Sequence, residues 1–343
     1  MNALRLGLAL LVVVSHSTAL GGYGPELTLG RESLGRWAVF GFFGLSGFLI
    51  TRSRLSGRPA ADYYRARVLR ILPAFAVSLL VVAFVMAPLS PFLGSGGSYS
   101  LEDAFTFVLR NLAFYPPVVG QAAIGDTLAA GIAVPNTWNG SLWTIYFEVA
   151  CYIAMGVLAT VVPRRHLGKV LLVSFAALTG LGLLSALGHL SLGQLSNNVL
   201  PLLIAFEAGA LLHLYSNKIH VTPLSVAAAV ALLVAATLMG LAGPLGQLPL
   251  AFLLIVLGQA LPLQRIGAHR DISYGVYIYA WPVQQCLALA FPDQSLPFWA
   301  FVVATVAVVV PLAWLSCSFV EQPALRLKRR TPQQHAVAVS SEG

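Results

Sequence analysis

An arginine and a histidine in the first apolar segment are the residues of this sequence best suited to chemistry. Residues 4–20 read LRLGLALLVVVSHSTAL, with Arg5 at the start and His16 inside the run. On a helix that rises about 1.5 Å per residue, their spacing corresponds to about 16 Å. Ionisable groups inside a membrane are costly and are therefore functional candidates. The pattern also fits a flanking positive charge and a histidine that bonds to a neighbouring helix, so this segment alone leaves both interpretations open.

A carboxylate in a later apolar segment could act together with this histidine. Glu148, in the stretch SLWTIYFE, lies about 10 Å into its helix if that helix begins near Ser141. His16 lies about 6 Å from the outer end of its own helix, which is a similar depth. A carboxylate beside an imidazole fixes its tautomer and raises its basicity, as a general base requires. We therefore predict that Glu148 orients His16.

Two arginines after the second apolar segment form a candidate phosphate receptor. The stretch YYRARVLRILP places Arg67 and Arg70 three residues apart, on one helix face, with Arg65 nearby and Pro73 following. Guanidinium groups bind phosphate in a bidentate manner. The same charges also fit an ordinary positive-inside signal or a contact with anionic lipid. The residues alone leave these alternatives open.

The composition is that of a membrane protein. The chain has 343 residues, of which 58% are hydrophobic and 9% charged, whereas a soluble domain has about 25% charged residues. The net charge of +8 does not indicate nucleic acid, because the cations cluster at the ends of apolar runs. Cys151, Cys286 and Cys317 lie in apolar segments without metal-ligand spacing, so we interpret them as small core residues and expect no metal.

Apolar runs of about 17 to 22 residues predict ten transmembrane helices in an all-α, polytopic fold. Lysine and arginine side chains concentrate in alternate loops, sixteen against three by our count, which predicts cytoplasmic N- and C-termini. The longest outer segment, about 89–140, should contain an amphipathic helix at 101–115. We expect a disordered cytoplasmic tail at 331–343. The predicted spans are 4–20, 35–51, 71–88, 141–162, 169–187, 198–215, 223–241, 247–262, 273–290 and 297–319.

Several of these stretches together resemble membrane-bound acyltransferase family 3, the O-acyltransferases that modify bacterial surface polysaccharides and related glycans. The Arg5–His16 pair, FFGLSGFLITR, RARVLRILP, SLWTIYFE, ISYGVYIYAWPV and FVEQPALR occur in the family's order and cover residues 4 to about 330. The family commonly has a histidine just before the aromatic–proline of the ninth helix, where this chain has Ala280. That departure puts a role for a second histidine in doubt.

The resemblance implies a multi-pass enzyme of the bacterial inner membrane, with one acyltransferase domain at 1–330. It would move an acyl group, with acetyl the commonest donor, from acyl-CoA to a sugar hydroxyl of a surface polysaccharide or glycolipid. Acyl-CoA would be a co-substrate and no cofactor is expected. The expected partners are the acyl-CoA donor, the glycan or glycolipid acceptor and membrane lipids, and not nucleic acid. The hypothesis assigns catalysis to His16 and Glu148, acyl-CoA binding to Arg5, Arg67, Arg70 and Ser46, and acceptor binding to Trp143, Trp138 and Tyr277.

Two other functions fit part of the pattern. A proton-coupled transporter or flippase would use the same intramembrane histidine, carboxylate and arginines. It predicts an inverted repeat, and the sequence has none that we can detect. A sensor or assembly scaffold would not need this constellation of ionisable residues.

Overall fold

The computed structural model describes residues 1–114, 121–128, 132–262 and 270–327, with side chains undescribed at 194–196. Within these ranges the chain is almost entirely helical, as predicted, and the two short strands form one antiparallel hairpin. The predicted tail at 331–343 lies outside the described residues. The helices are α1 (Asn2–Leu20), α2 (Leu34–Arg54), α3 (Ala60–Val81), α4 (Ala87–Leu89), α5 (Leu101–Leu112), α6 (Leu142–Val161), α7 (Arg164–Ala186), α8 (Gln194–Leu214), α9 (Pro223–Leu238), α10 (Ala242–Leu245), α11 (Gln247–Ala260), α12 (Ser273–Ala290), α13 (Phe298–Ser316) and α14 (Gln322–Arg326), and the strands are β1 (Thr28–Leu29) and β2 (Glu32–Ser33).

Among the described residues, seven helices are long and apolar enough to cross a membrane. Two further apolar helices, α9 and α11, are shorter, and α12 has 18 residues. The chain is therefore a polytopic, all-α membrane protein. The seven spans are Asn2–Leu20, Leu34–Arg54, Ala60–Leu93, Leu142–Val161, Arg164–Ala186, Asn197–Leu214 and Phe298–Arg326.

The third span differs most from its predicted bounds. The structure begins α3 at Ala60 and continues it through a π-helical stretch, Val82–Met86, and a 3₁₀ turn at Ser90–Leu93. Pro73 lies inside α3 and does not mark its start. Arg67 and Arg70 therefore project from within a long helix, where the apolar pattern alone predicted a loop or a helix start.

Helix α2 packs against α8 with almost no side chain between the two backbones. A β-carbon added to Gly47 would overlap the carbonyl of Phe206, and one added to Gly209 would overlap the carbonyl of Gly44. In a membrane, where lipid is as apolar as a side chain, such close approach of backbones is a main source of helix association. The glycine-rich second helix is thus a packing centre.

The segment between α1 and α2, residues 21–33, folds back over the helix ends. It contains the β1–β2 hairpin, whose tip residue Gly30 has φ +67 and rests on Thr237 at the end of α9. The Trp37 indole N–H donates to the carbonyl of Leu29 over 3.0 Å. The Ser33 side chain caps α2 by accepting the N–H of Arg36. This folding brings Glu26, which precedes the hairpin, against α1.

Candidate active site

His16 is paired with a carboxylate, and the partner is Glu26. The Nδ1 atom of His16 lies 2.8 Å from Glu26 Oε1, and the Ser15 hydroxyl donates to Glu26 Oε2 over 2.9 Å. Both side chains of the pair are largely buried, 18% and 26% exposed. With Nδ1 held as the donor to the carboxylate, Nε2 is left as the nitrogen that can accept a proton from a substrate.

The surroundings of Glu26 keep its carboxylate ionised. Burial would raise the pKa, but hydrogen bonds from His16, Ser33 and Ser15, together with the charge of His16, lower it from 4.5 to about 2. The positive end of the α2 dipole also favours an anion here. Gly35 leaves room for the cluster, since a β-carbon there would lie 3.2 Å from Ser15 Oγ and 3.3 Å from Glu26 Oε2. Glu26 therefore acts as a fixed negative charge behind the imidazole.

Trp281 on α12 forms the other wall of the histidine site. Its ring packs edge-on against the His16 ring, with centroids 4.9 Å apart. The indole N–H donates to the carbonyl of Thr137 over 3.0 Å. Gly140 makes room for the indole, because a β-carbon on Gly140 would lie 2.5 Å from it. The preceding residue, Ala280, is fully buried, so the site uses the tryptophan of this motif to contact His16.

Glu148, which we expected beside His16, is found in other contacts. The Ser46 hydroxyl donates to Glu148 Oε1 over 3.2 Å, and the Tyr152 hydroxyl donates to the same oxygen. The expected pairing fails because depth along two helices does not fix which faces of those helices meet. Ser46 and Glu148 instead join α2 to α6 near the middle of both helices.

Arg5 and Arg70 both bind Asp271. Arg5 Nη1 and Arg70 Nη2 each lie 2.7 Å from Asp271 Oδ2, and Arg70 Nη1 lies 3.1 Å from Glu321. Burial would raise the pKa of Asp271, but the two guanidinium groups and Ser273 hold it below its usual value. This network ties α1, α3 and the π-helical turn after α13, Cys317–Glu321, to the start of α12. Two of the three arginines that we expected to bind acyl-CoA are thus already engaged with carboxylates.

Of the three arginines expected to bind acyl-CoA, Arg67 is the one without a carboxylate partner among the described residues. Its guanidinium lies 5.9 Å from the ring centroid of Tyr152, and its buried Nε has no hydrogen-bond partner among the described residues. No ion pair between Arg67 and a described carboxylate is present. A partly buried guanidinium in this state is suited to binding an anion from outside the chain.

A cavity of about 270 Å³ lies beyond Trp281, between α3, α5 and the start of α6. Thr137 and Gly140, which contact Trp281, form part of its wall. Aromatic faces and amide groups together are the surfaces that sugars bind. The remaining lining residues include Phe75, Asn111, Phe114, Gln121, Asn139, Trp143 and Tyr146.

Of the three residues expected to bind an acceptor, Trp143 lines this cavity and the other two are buried beside it. Trp138 is 1% exposed, and its indole N–H donates to Thr127 over 2.9 Å. The Tyr277 hydroxyl lies 2.6 Å from the Thr144 hydroxyl. Trp138 and Tyr277 therefore shape the cavity's surroundings without facing its interior.

Sequence reasoning missed Glu26, Trp281 and Asp271 as site residues. Glu26 lies in a polar connecting segment with no periodic signal, and Trp281 entered the sequence analysis only within the motif ISYGVYIYAWPV. Asp271 directly precedes the ninth motif, and its position between two apolar runs was the available signal. Among the described residues, no group of three or more His, Cys, Asp or Glu side chains could hold a metal ion.

The fold and site define a class: a polytopic membrane protein with a histidine–glutamate pair, a set of partly buried arginines and an aromatic–amide cavity. The chain belongs to the family described as "Acyltransferase domain", whose match covers residues 1–317. It is therefore an acyltransferase, and the resemblance found in the sequence is confirmed.

Two curated relatives extend over nearly the whole chain. The chain is 27% identical over 330 residues to a protein of Shigella phage Sf6 named "O-acetyl transferase", covering 93% of each sequence. It is 28% identical over 365 residues to "Nodulation protein 10" of Rhizobium leguminosarum bv. viciae, covering 95% of this chain and 93% of that protein. No solved structure matches the chain significantly.

Proposed function

We propose that the protein is an integral membrane O-acyltransferase that moves an acetyl group from acetyl-CoA to a sugar hydroxyl of a bacterial surface polysaccharide or glycolipid. The observation that carries the proposal is the His16–Glu26 pair, which Trp281 connects to the wall of a cavity of aromatic and amide side chains. The name of the phage relative supports the acetyl group. The charge bias of the loops supports ten spans, cytoplasmic termini and a place in the inner membrane.

The donor enters from the cytoplasmic face in this proposal. Its phosphates meet Arg67, which has an unpartnered Nε. Arg5 and Arg70 contribute positive potential, while Asp271 fixes their positions. Ser46 and Glu148 lie farther into the membrane on α2 and α6, along the route of the pantetheine arm. The thioester then reaches His16 from the side opposite the acceptor.

The acceptor sugar binds in the cavity lined by Trp143 and Asn111, and its hydroxyl reaches His16 beside Trp281. His16 Nε2 takes the hydroxyl proton as the oxygen attacks the thioester carbonyl. The tetrahedral intermediate collapses, the C–S bond breaks, and the coenzyme A thiolate receives the proton from the imidazolium. Glu26 holds the tautomer and stabilises the imidazolium. General-base assistance of this kind contributes about 10²–10⁴-fold in rate.

The test uses purified protein in lipid nanodiscs with acetyl-labelled acetyl-CoA and extracted cell-envelope glycans. Wild-type protein should transfer label to glycan, and His16→Ala should not, while remaining folded and membrane-embedded. Free coenzyme A released without labelled glycan would support the donor and reject the glycans supplied. Absence of turnover with several acyl donors, combined with proton-driven flux of a solute, would overturn the proposal in favour of transport.

A further inference from the structure

A second polar cavity, of about 290 Å³, lies away from His16 at the far side of the 21–33 segment. It is enclosed by the hairpin, the adjoining ends of α7 and α8, and the turn from α9 to α10. Its size is at the lower end of the range for small-molecule sites, which suits one sugar residue or one headgroup. Its polar lining comes from Arg31, Glu32, Ser185 and Asn197, with Gly240 and Gly243 beside them.

The exposed side chain of Arg31 packs at this cavity against a glycine. Gly240 has φ +70, and a β-carbon there would lie 2.5 Å from Arg31 Nε and 2.9 Å from its Cζ. The guanidinium therefore rests directly on the backbone of the α9–α10 turn. In the part of the chain that the structure describes, Arg31 forms no ion pair and no hydrogen bond.

The carboxylate in the same cavity does not neutralise Arg31. Glu32 Oε2 lies 2.6 Å from Arg36 Nε, and Arg36 Nη1 donates to Asn198 over 2.7 Å. Two arginines and one glutamate leave one net positive charge at the cavity. The Ser185 hydroxyl donates to Asn197 Oδ1 over 2.9 Å, so these polar groups satisfy each other. The unmatched group is the Arg31 guanidinium.

The position of Arg31 in an outer loop runs against the excess of lysine and arginine in the inner loops. Our count gives the outer loops only three arginines, Arg31, Arg36 and Arg110; Arg31 lines this cavity, and Arg36 pairs with the Glu32 carboxylate of its wall. Cations in outer loops act against the positive-inside orientation, and Arg31 is an exposed one without a carboxylate partner among the described residues. Guanidinium recognises carboxylate and phosphate oxygens in a bidentate manner.

We propose that this cavity binds an oxyanion, the carboxylate of an acidic sugar residue or a phosphate, through Arg31. The binding is independent of acyl transfer and goes beyond the proposed reaction. Arg31 follows Glu26 on the same folded segment, so an occupant would lie against the hairpin that directly follows the carboxylate partner of His16. Glucuronate, inorganic phosphate and anionic lipid are the probes that distinguish whether the oxyanion belongs to an acidic sugar, to free phosphate or to a lipid headgroup.

The test introduces a thiol at the cavity wall. Ala186, which lines the cavity, is replaced by cysteine, and its reaction rates with anionic and cationic methanethiosulfonates are compared in nanodiscs of zwitterionic lipid. Ser295→Cys, in the α12–α13 connection, is the control position, and unmodified protein gives the background of the three native cysteines. We expect the anionic reagent to be favoured at position 186 by about fivefold relative to position 295, as one nearby charge provides.

Arg31→Gln should remove this preference, whereas Arg110→Gln should preserve it. Glucuronate or phosphate should slow labelling of Ala186→Cys, and neutral glucose should not. Protection that appears only with anionic lipid in the nanodisc would assign the site to a lipid headgroup. Absence of any protection that depends on Arg31 would overturn the proposal. Ser185→Cys provides a second position if Ala186→Cys does not fold.

Discussion

His16 Nδ1 and Glu26 Oε1 lie 2.8 Å apart, although one residue is inside a membrane helix and the other is in the segment that connects it to the next. The chain leaves α1 at Leu20, reverses, and returns a carboxylate to the helix it has just left. The negative charge beside His16 is therefore supplied locally, from ten residues farther along the chain. In the proposed mechanism, this arrangement makes the 21–33 segment part of the catalytic unit.

Glu26→Gln should reduce acetyl transfer by about 10²-fold while leaving acetyl-CoA binding unchanged. The amide keeps the shape of the side chain but loses the negative charge that stabilises the imidazolium. The measurement is kcat and KM for both substrates in nanodiscs. Glu102→Gln, at an exposed position in the first turn of α5, is the matched control and should retain wild-type rates. An unchanged kcat in Glu26→Gln would show that Glu26 does not orient His16, and it would favour Glu148 in that role.

The lowered pKa of Glu26 predicts a pH-dependent contribution to the free energy of unfolding. The pKa of Glu26 is lowered from 4.5 to about 2 in the folded protein, so its contribution is fully present above pH 4.5 and is lost as the pH falls towards 2. Its size is at most about 3 kcal/mol, reduced further by the solvent that reaches the side chain. Thermal unfolding of wild type and Glu26→Gln in detergent should differ at neutral pH and converge on acidification through this window. A difference that does not change with pH would contradict the ionised pairing.

Arg67 and Arg70 lie three residues apart on one helix, yet they should respond differently to substitution. Arg67→Gln should raise KM for acetyl-CoA about 10–100-fold, the effect of losing a hydrogen bond to a charged group, with little loss of stability. Arg70→Gln should destabilise the protein by about 3–5 kcal/mol, because Asp271 and Glu321 would be left buried without this partner. Acetyl-CoA titration and thermal unfolding separate the two effects. Equal KM changes with unchanged stability in both variants would mean that both arginines bind the donor.

Gly140→Ala should impair catalysis through Trp281. A β-carbon at this position would lie 2.5 Å from the indole, so the indole must move and its packing against His16 must change. We expect kcat to fall at least about 10-fold, with KM for acetyl-CoA unchanged. Gly7→Ala, where a β-carbon would have no neighbour within 4 Å, is the control. Normal kcat in Gly140→Ala would show that the position of Trp281 does not govern the reaction.

Much of the fold could be predicted from hydropathy because the bilayer restricts spanning segments to long apolar helices. The site was predicted in part. His16, Arg67 and Arg70 were recognised because ionisable residues stand out against an apolar background. The partner of His16 was predicted incorrectly, since sequence gives depth along a helix but not the face that meets a neighbour. Glu26 and Asp271 were missed because connecting segments carry polar residues for many reasons.

The direct contact of the α2 and α8 backbones, through Gly44, Gly47 and Gly209, limits how substrates can reach the centre. Two helices that touch without intervening side chains have no layer that can repack into a second arrangement, so this joint stays closed throughout turnover. Rocking of one bundle against another, on which alternating access depends, would have to take place elsewhere in the molecule. The joint therefore makes α2 and α8 one rigid unit, and no substrate can travel between these two helices.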